Sequence, residues 1–253
     1  MKKPARRHWL TDRPIAHRGL HDFARRIPEN TLSAAQAAID RGFAIEMDLR
    51  LSADNHMMVF HDHMLDRLTE RAGPVLALER AELRRTRIAG SDDSIPSLDD
   101  LLDLVDGRVP LILELKSTVD GYDAMVGPLL ASLAAYRGPV AAMSFDPRLI
   151  AALAEAAPHL PRGIVADAAR DDEWKQLTGW QRRIVRHLLH APKSKPQFVA
   201  FDIKALPATA PLALKWFRGM PLLSWTIRTR DEEKKARYWA DQIIFEEITP
   251  EAA

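Results

Sequence analysis

The chain of 253 residues has no cysteine, which excludes disulfides and thiolate metal sites and leaves carboxylates and histidines as the available ligands. It also lacks an excess of either charge. Its 36 Lys and Arg stand against 35 Asp and Glu, so no overall field calls for nucleic acid or an anionic membrane. No stretch approaches the ~20 apolar residues of a membrane span. The opening MKKPARRHWLTDRP is basic but lacks the apolar core, about 7 to 15 residues long, of a secretory signal, and a cytoplasmic location is expected. Internal repeats and low-complexity tracts are absent as well. With 47% apolar residues the chain can build a large core, as one domain of about 250 residues or as two smaller ones.

What is present is an alternation of short apolar runs with helical patterns. Candidate strands are PIAHRG from Pro14, AIEMDLRL from Ala44, PLILELK from Pro110, VAAMSF from Val140, RGIVA from Arg162, FVAFDI from Phe198, PLLSWTI from Pro221 and QIIFEE from Gln242. Between them, Asn30 reads as the N-cap of a helix from Thr31 to Arg41 that stops at Gly42. Ser97 with Asp100 reads as a capping-box variant, and Asp146-Pro147 as N-cap and first helical residue. Asp231 reads as the cap of DEEKKARYWA. Eight strands separated by helices fit a parallel (β/α)8 barrel, a TIM barrel, better than an open sheet. The whole chain, 1–253, is expected to be one such domain, with a polar, arginine-rich rim insertion after the second strand at about residues 62–96.

The run AIEMDLRL poses a problem. At strand period Ile45, Met47, Leu49 and Leu51 share one face, while Glu46, Asp48 and Arg50 share the other. A solvated edge strand is the plain reading. In a barrel, however, inward residues near the C-terminal ends of strands line the active site. Two carboxylates held there repel each other unless a cation sits between them, which points to a divalent metal with oxygen ligands. Similar polar residues end other strands: His17 and Arg18 in AHRG, and Glu114 with Lys116 in LILELK.

The order H-R-G at His17 to Gly19, P-E-N at Pro28 to Asn30, E-x-D at Glu46 and Asp48, H-D at His61 and Asp62, and E-x-K at Glu114 and Lys116 resembles the glycerophosphodiester phosphodiesterase family. IPSL at Ile95, the pair Trp225-Thr226 and the closing Ile243-Ile244 extend the likeness over nearly the whole chain. The resemblance implies a (β/α)8 barrel with a small insertion after its second strand. It further implies a metal-dependent phosphoric diester hydrolase that releases sn-glycerol 3-phosphate and an alcohol from a small-molecule phosphodiester. By that likeness Glu46, Asp48 and Glu114 ligate one divalent ion, magnesium or calcium with manganese as a further candidate. Arg18 and Lys116 neutralise phosphate oxygens. His17 and His61 act as acid and base, with His61 assigned to the departing alkoxide.

Plainer readings stand beside these. Glu29 is either a first-turn acid or a residue bordering the site, Asp62 either a turn anchor or the group that orients His61, and Trp225 either core or a wall for the substrate. His21 and His63 read as rim residues. The segment from Arg182 to Lys195 joins an apolar stripe of Ile184, Val185, Leu188 and Leu189 to a basic face. That describes a solvated surface helix, with membrane contact the less favoured reading. Arg228 and Glu246 depart from the family pattern, and an arginine at that position can alter which headgroup fits. Two other functions fit the same residues: a phosphodiesterase acting on lysophospholipids, by hydrolysis or through a cyclic phosphate, and a catalytically silent phosphodiester-binding protein. The intact set of histidines and carboxylates argues against the silent form.

Overall fold

The structure, a computed structural model, describes residues 8–116, 122–168 and 178–250. Its strands are β1 (Ile15–Ala16), β2 (Ala44–Leu51), β3 (Met57–Val59), β4 (Leu111–Leu115), β5 (Val140–Ser144), β6 (Arg162–Ala166), β7 (Phe198–Asp202), β8 (Leu222–Ile227) and β9 (Gln242–Phe245). Their order in the sheet is β1-β9-β8-β7-β6-β5-β4-β2-β3, with β1 also paired to β2. Apart from β3, each is one of the eight strands expected from the sequence, and the fold is a (β/α)8 barrel. Two compact units divide the chain, residues 16–142 and residues 143–253 with the N-terminal stretch up to Ile15. No helix among the described residues is long and apolar enough to cross a membrane.

Within residues 16–142, β2 is buried on both faces: Ile45, Met47 and Leu49 are fully covered, and so are Glu46 and Asp48. A solvated edge strand is therefore excluded. Parallel pairing of β2 with β4 sets Asp48 opposite Glu114. β3 runs antiparallel to β2, from Leu49 opposite Val59 to Leu51 opposite Met57, after a turn in which Asn55 takes a left-handed φ of 58°. The insertion that follows is less polar inside than its arginines suggest. Leu65, Leu68, Val75, Leu83, Ile88 and Ile95 form a core of their own with Met58 and Phe60. Ser97 and Asp100 form the expected capping box on the helix Leu98–Val105. The cap of the helix Leu32–Asp40 is Thr31 rather than Asn30, because the Thr31 hydroxyl accepts the Ala34 N–H. Asn30 is thereby released for another partner.

Within residues 143–253, Asp146 caps the helix Pro147–Ala156 with proline at its start, as expected. The helix Arg230–Trp239 is capped by Thr229, not Asp231. Thr229 is extended and closes a capping box with Glu232, which leaves Asp231 inside the first turn. His190 is buried, its Nδ1 3.1 Å from Ser194 Oγ, and burial pushes its imidazole down to about 4. Its folded value thus lies below the ordinary value of about 6.5, so the native state resists a proton that the unfolded chain accepts. Stability is fully present above about 6.5 and is lost as pH falls toward 4. Lowering the pH from 7 to 5 is expected to cost about 2 kcal/mol through this group alone. Urea midpoints of the wild type and His190→Gln at both pH values check it: the drop is smaller in the variant.

Candidate active site

The site is built from four pieces of the 16–142 unit, beginning with the turn after β1. Arg18 and Gly19 both take positive φ, 54° and 79°. Any Cβ at Gly19 would lie 2.7 Å from the Ala34 Cβ and 2.8 Å from its carbonyl carbon, so only glycine lets the turn press against the helix Leu32–Asp40. This approach delivers backbone donors to β2. Arg18 N donates to Glu46 Oε2 at 2.9 Å and Gly19 N to the Glu46 carbonyl at 3.1 Å. Asn30, at φ 57°, clamps Asp48 in both directions: its Nδ2 donates to Asp48 Oδ2 at 2.9 Å, and its Oδ1 accepts from the Asp48 N–H at 3.0 Å.

Glu46, Asp48 and Glu114 come together as the sequence suggests. One carboxylate oxygen from each lies within 4.8 Å of the others, and all three residues are buried. Two cations face them. The Lys116 ammonium pairs with Asp48 Oδ1 at 3.0 Å and with Glu114 Oε1, and Arg18 Nε lies 3.2 Å from Asp48 Oδ2. Burial alone would raise the Asp48 carboxyl, but Lys116 and Arg18 outweigh it and hold Asp48 well below the usual carboxylate range. Glu46 goes the other way, raised by burial and by the like charges of Asp48 and Glu114. Glu114 is also raised, chiefly by burial. Glu46 Oε1 is buried without a hydrogen-bond donor among the described residues. Three buried carboxylates against two cations, with one oxygen unpaired and only hard oxygen donors, is a set that fits a divalent ion of the magnesium, calcium or manganese type.

The histidines border this cluster. His17 Nε2 is 3.9 Å from Glu46 Oε2. His61 Nδ1 lies 2.6 Å from Asp62 Oδ1, which fixes the ring and leaves Nε2 as its other nitrogen. Burial pushes the His61 imidazole down to about 4. Asp62 is held near 2 against the opposing effect of burial, through hydrogen bonds from Arg67 and His61.

Three residues to which the sequence assigned no part in the site support it. Arg67, from the insertion, donates Nε to Asp62 Oδ2 at 2.5 Å and Nη2 to Glu29 Oε1 at 2.7 Å. Glu29 in turn accepts from Arg18 Nη1 at 2.8 Å, so a single guanidinium links the carboxylate behind His61 to the one that holds Arg18. Arg50 donates Nε to the His61 carbonyl at 2.7 Å. Asn30 is the third, through Asp48. Its P-E-N motif was the only signal that could have drawn attention to it.

Trp225 belongs to the other unit, on β8, where it meets Phe145 edge-on with ring centroids 5.6 Å apart. The two departures from the family pattern pair with each other there: Arg228 Nε donates to Glu246 Oε1 at 2.7 Å.

Residues 17–248 match the model of the "Glycerophosphoryl diester phosphodiesterase family". The chain belongs to that family. Among the relatives of this family member, a glycerophosphodiester phosphodiesterase of Caldanaerobacter subterraneus subsp. tengcongensis is 27% identical over 91% of this chain and 92% of its own. A probable glycerophosphodiester phosphodiesterase 1 of Mycobacterium tuberculosis is 32% identical over 73% of this chain and 75% of its own. The solved structure of an Oleispira antarctica phosphodiesterase in complex with the product sn-glycerol-3-phosphate superposes with a TM-score of 0.77 at 21% identity, covering 94% of each chain. As a member of the glycerophosphodiester phosphodiesterases the protein is a phosphoric diester hydrolase.

Proposed function

We propose that the whole chain acts as one catalytic domain that hydrolyses glycerophosphodiesters to sn-glycerol 3-phosphate and an alcohol, using a divalent cation held by Glu46, Asp48 and Glu114. The observation that carries this reading is the buried three-carboxylate cluster whose Glu46 Oε1 has no donor among the described residues. When bound, such a cation polarises a phosphoryl oxygen and offsets charge that develops there. Arg18 and Lys116 supply further positive charge to the phosphate, and Trp225 a wall for the glycerol or headgroup. Water attacks phosphorus as the bond to the alkoxide breaks; one histidine takes the proton of the water and the other returns a proton to the alkoxide.

Two observations support making His61 the base and His17 the acid, the reverse of the allocation drawn from sequence. His61 rests neutral, pushed down to about 4 by burial. Its Nδ1 faces the Asp62 carboxylate at 2.6 Å, which stabilises the imidazolium formed when Nε2 accepts a proton.

The test uses chelator-stripped protein with glycerophosphocholine or glycerophosphoethanolamine, adding magnesium, calcium or manganese in turn and assaying glycerol 3-phosphate in oxygen-18 water. The expected result is metal-dependent release with label on the phosphate. Release of the alcohol with an unlabelled cyclic glycerophosphate in place of glycerol 3-phosphate would point to initial cyclisation, and silence with every metal would favour lysolipids or a binding role.

A further inference from the structure

We propose that the surface formed by the helix Gly179–Arg186 and the turn after it is a docking site for an anionic lipid surface. The helix has eight residues and none of them is buried. A helix this short is marginal in water on its own. It is held here by a Thr178–Gln181 capping box and by half-burial of Ile184 and Val185. The apolar stripe expected from the sequence does not face outward as a unit, since Leu188 is buried against the protein. What faces outward is different. Trp180, Arg183 and His187 follow one another at positions i, i+3 and i+7 of one helical face, with Arg186 beside them, and all four are exposed. Trp180 is 64% exposed, and Leu189, in the turn that follows, 53%.

Charge selects the occupant. From Thr178 to Phe201 the chain carries five lysines and arginines and no acid, in a protein that is otherwise balanced. Arg182, Arg183 and Arg186 make no ion pair or side-chain hydrogen bond among the described residues. Cationic side chains around an exposed tryptophan match an interface in which the ammonium and guanidinium groups meet lipid phosphates and the indole sits at headgroup level. Nucleic acid offers the same negative charge. The choice of lipid rests on the family reading, because the glycerophosphodiester unit is the headgroup framework of a phospholipid and arises where lipids are broken down.

The experiment measures partitioning of the full-length protein onto sedimented vesicles of phosphatidylcholine alone and of phosphatidylcholine with 30% phosphatidylglycerol. Binding is expected only to the anionic vesicles, and is expected to disappear in 0.5 M salt. Arg183→Gln/Arg186→Gln is expected to weaken it about 25-fold, at about fivefold per arginine. Brominated acyl chains are expected to quench tryptophan emission in the wild type, with that quenching lost in Trp180→Phe. Turnover of glycerophosphocholine, measured in the same preparations, is expected to be unchanged in these variants, so failure of the docking idea and failure of the catalytic reading are told apart. Equal binding to both vesicle types, no binding to either, an unaffected double variant, or binding of a short DNA duplex in place of vesicles overturns the proposal.

Discussion

His61→Ala is expected to lower kcat by roughly 10²- to 10⁴-fold while leaving metal affinity and KM nearly unchanged. The reason lies in what the ring touches. Its Nδ1 is engaged by Asp62 at 2.6 Å, and among the described residues no hydrogen bond or ion pair joins it to Glu46, Asp48 or Glu114, so removing it takes away a proton acceptor without opening the carboxylate cluster. His17→Ala is expected to cost a similar factor, and the double variant little more than either single one, because the two groups serve one proton-transfer cycle. Asp62→Asn is the informative intermediate: the ring stays in place but loses the anion that stabilises its protonated form. Steady-state kinetics at saturating metal, with metal binding followed by calorimetry, check all four. Full turnover in either histidine variant removes that residue from the chemistry.

Asp48→Ala is expected to destabilise the chelator-stripped protein by about 3 to 5 kcal/mol, because it strips the counter-charge from buried cations. Asp48 is the meeting point of Lys116 at 3.0 Å and Arg18 at 3.2 Å, and it also satisfies Asn30. Glu46→Gln is expected to behave in the opposite manner. Glu46 sits among like charges with Oε1 lacking a donor among the described residues, so neutralising it relieves repulsion and leaves metal-free stability equal or higher. Both substitutions are expected to weaken metal binding, since each removes one of the three carboxylates. Urea unfolding in chelator, compared with calorimetric metal titration, separates the two effects. Equal destabilisation by both would show that Asp48 carries no special share of the buried charge.

The strand phase of β2 was legible because alternation is a local property. Two acids and an arginine at period two identify the polar face whatever surrounds it, and Glu114 and Lys116 do the same at the end of β4. The motif order then located the histidines. Long-range partners were not legible. Nothing near Arg67 in sequence shows that its guanidinium reaches both Asp62 and Glu29, the latter 38 positions away, and in a segment rich in arginine it looks like any of its neighbours. Asn30 was misread for a related reason: an Asn before a helical pattern is a good cap by local rules, and only the fold shows that Thr31 takes the cap while Asn30 turns to Asp48. β3 escaped notice because three residues are too few for a period to register.

The tie made by Arg67 bears on engineering. The insertion has its own apolar core and invites treatment as a cassette to be shortened or exchanged with that of a relative in order to change substrate range. Yet its one guanidinium on Asp62 and Glu29 makes it part of the scaffold that aims His61 and Arg18. A graft that does not supply an arginine reaching the same two carboxylates would slow the chemical step, and a screen scoring product alone would record that loss as altered specificity.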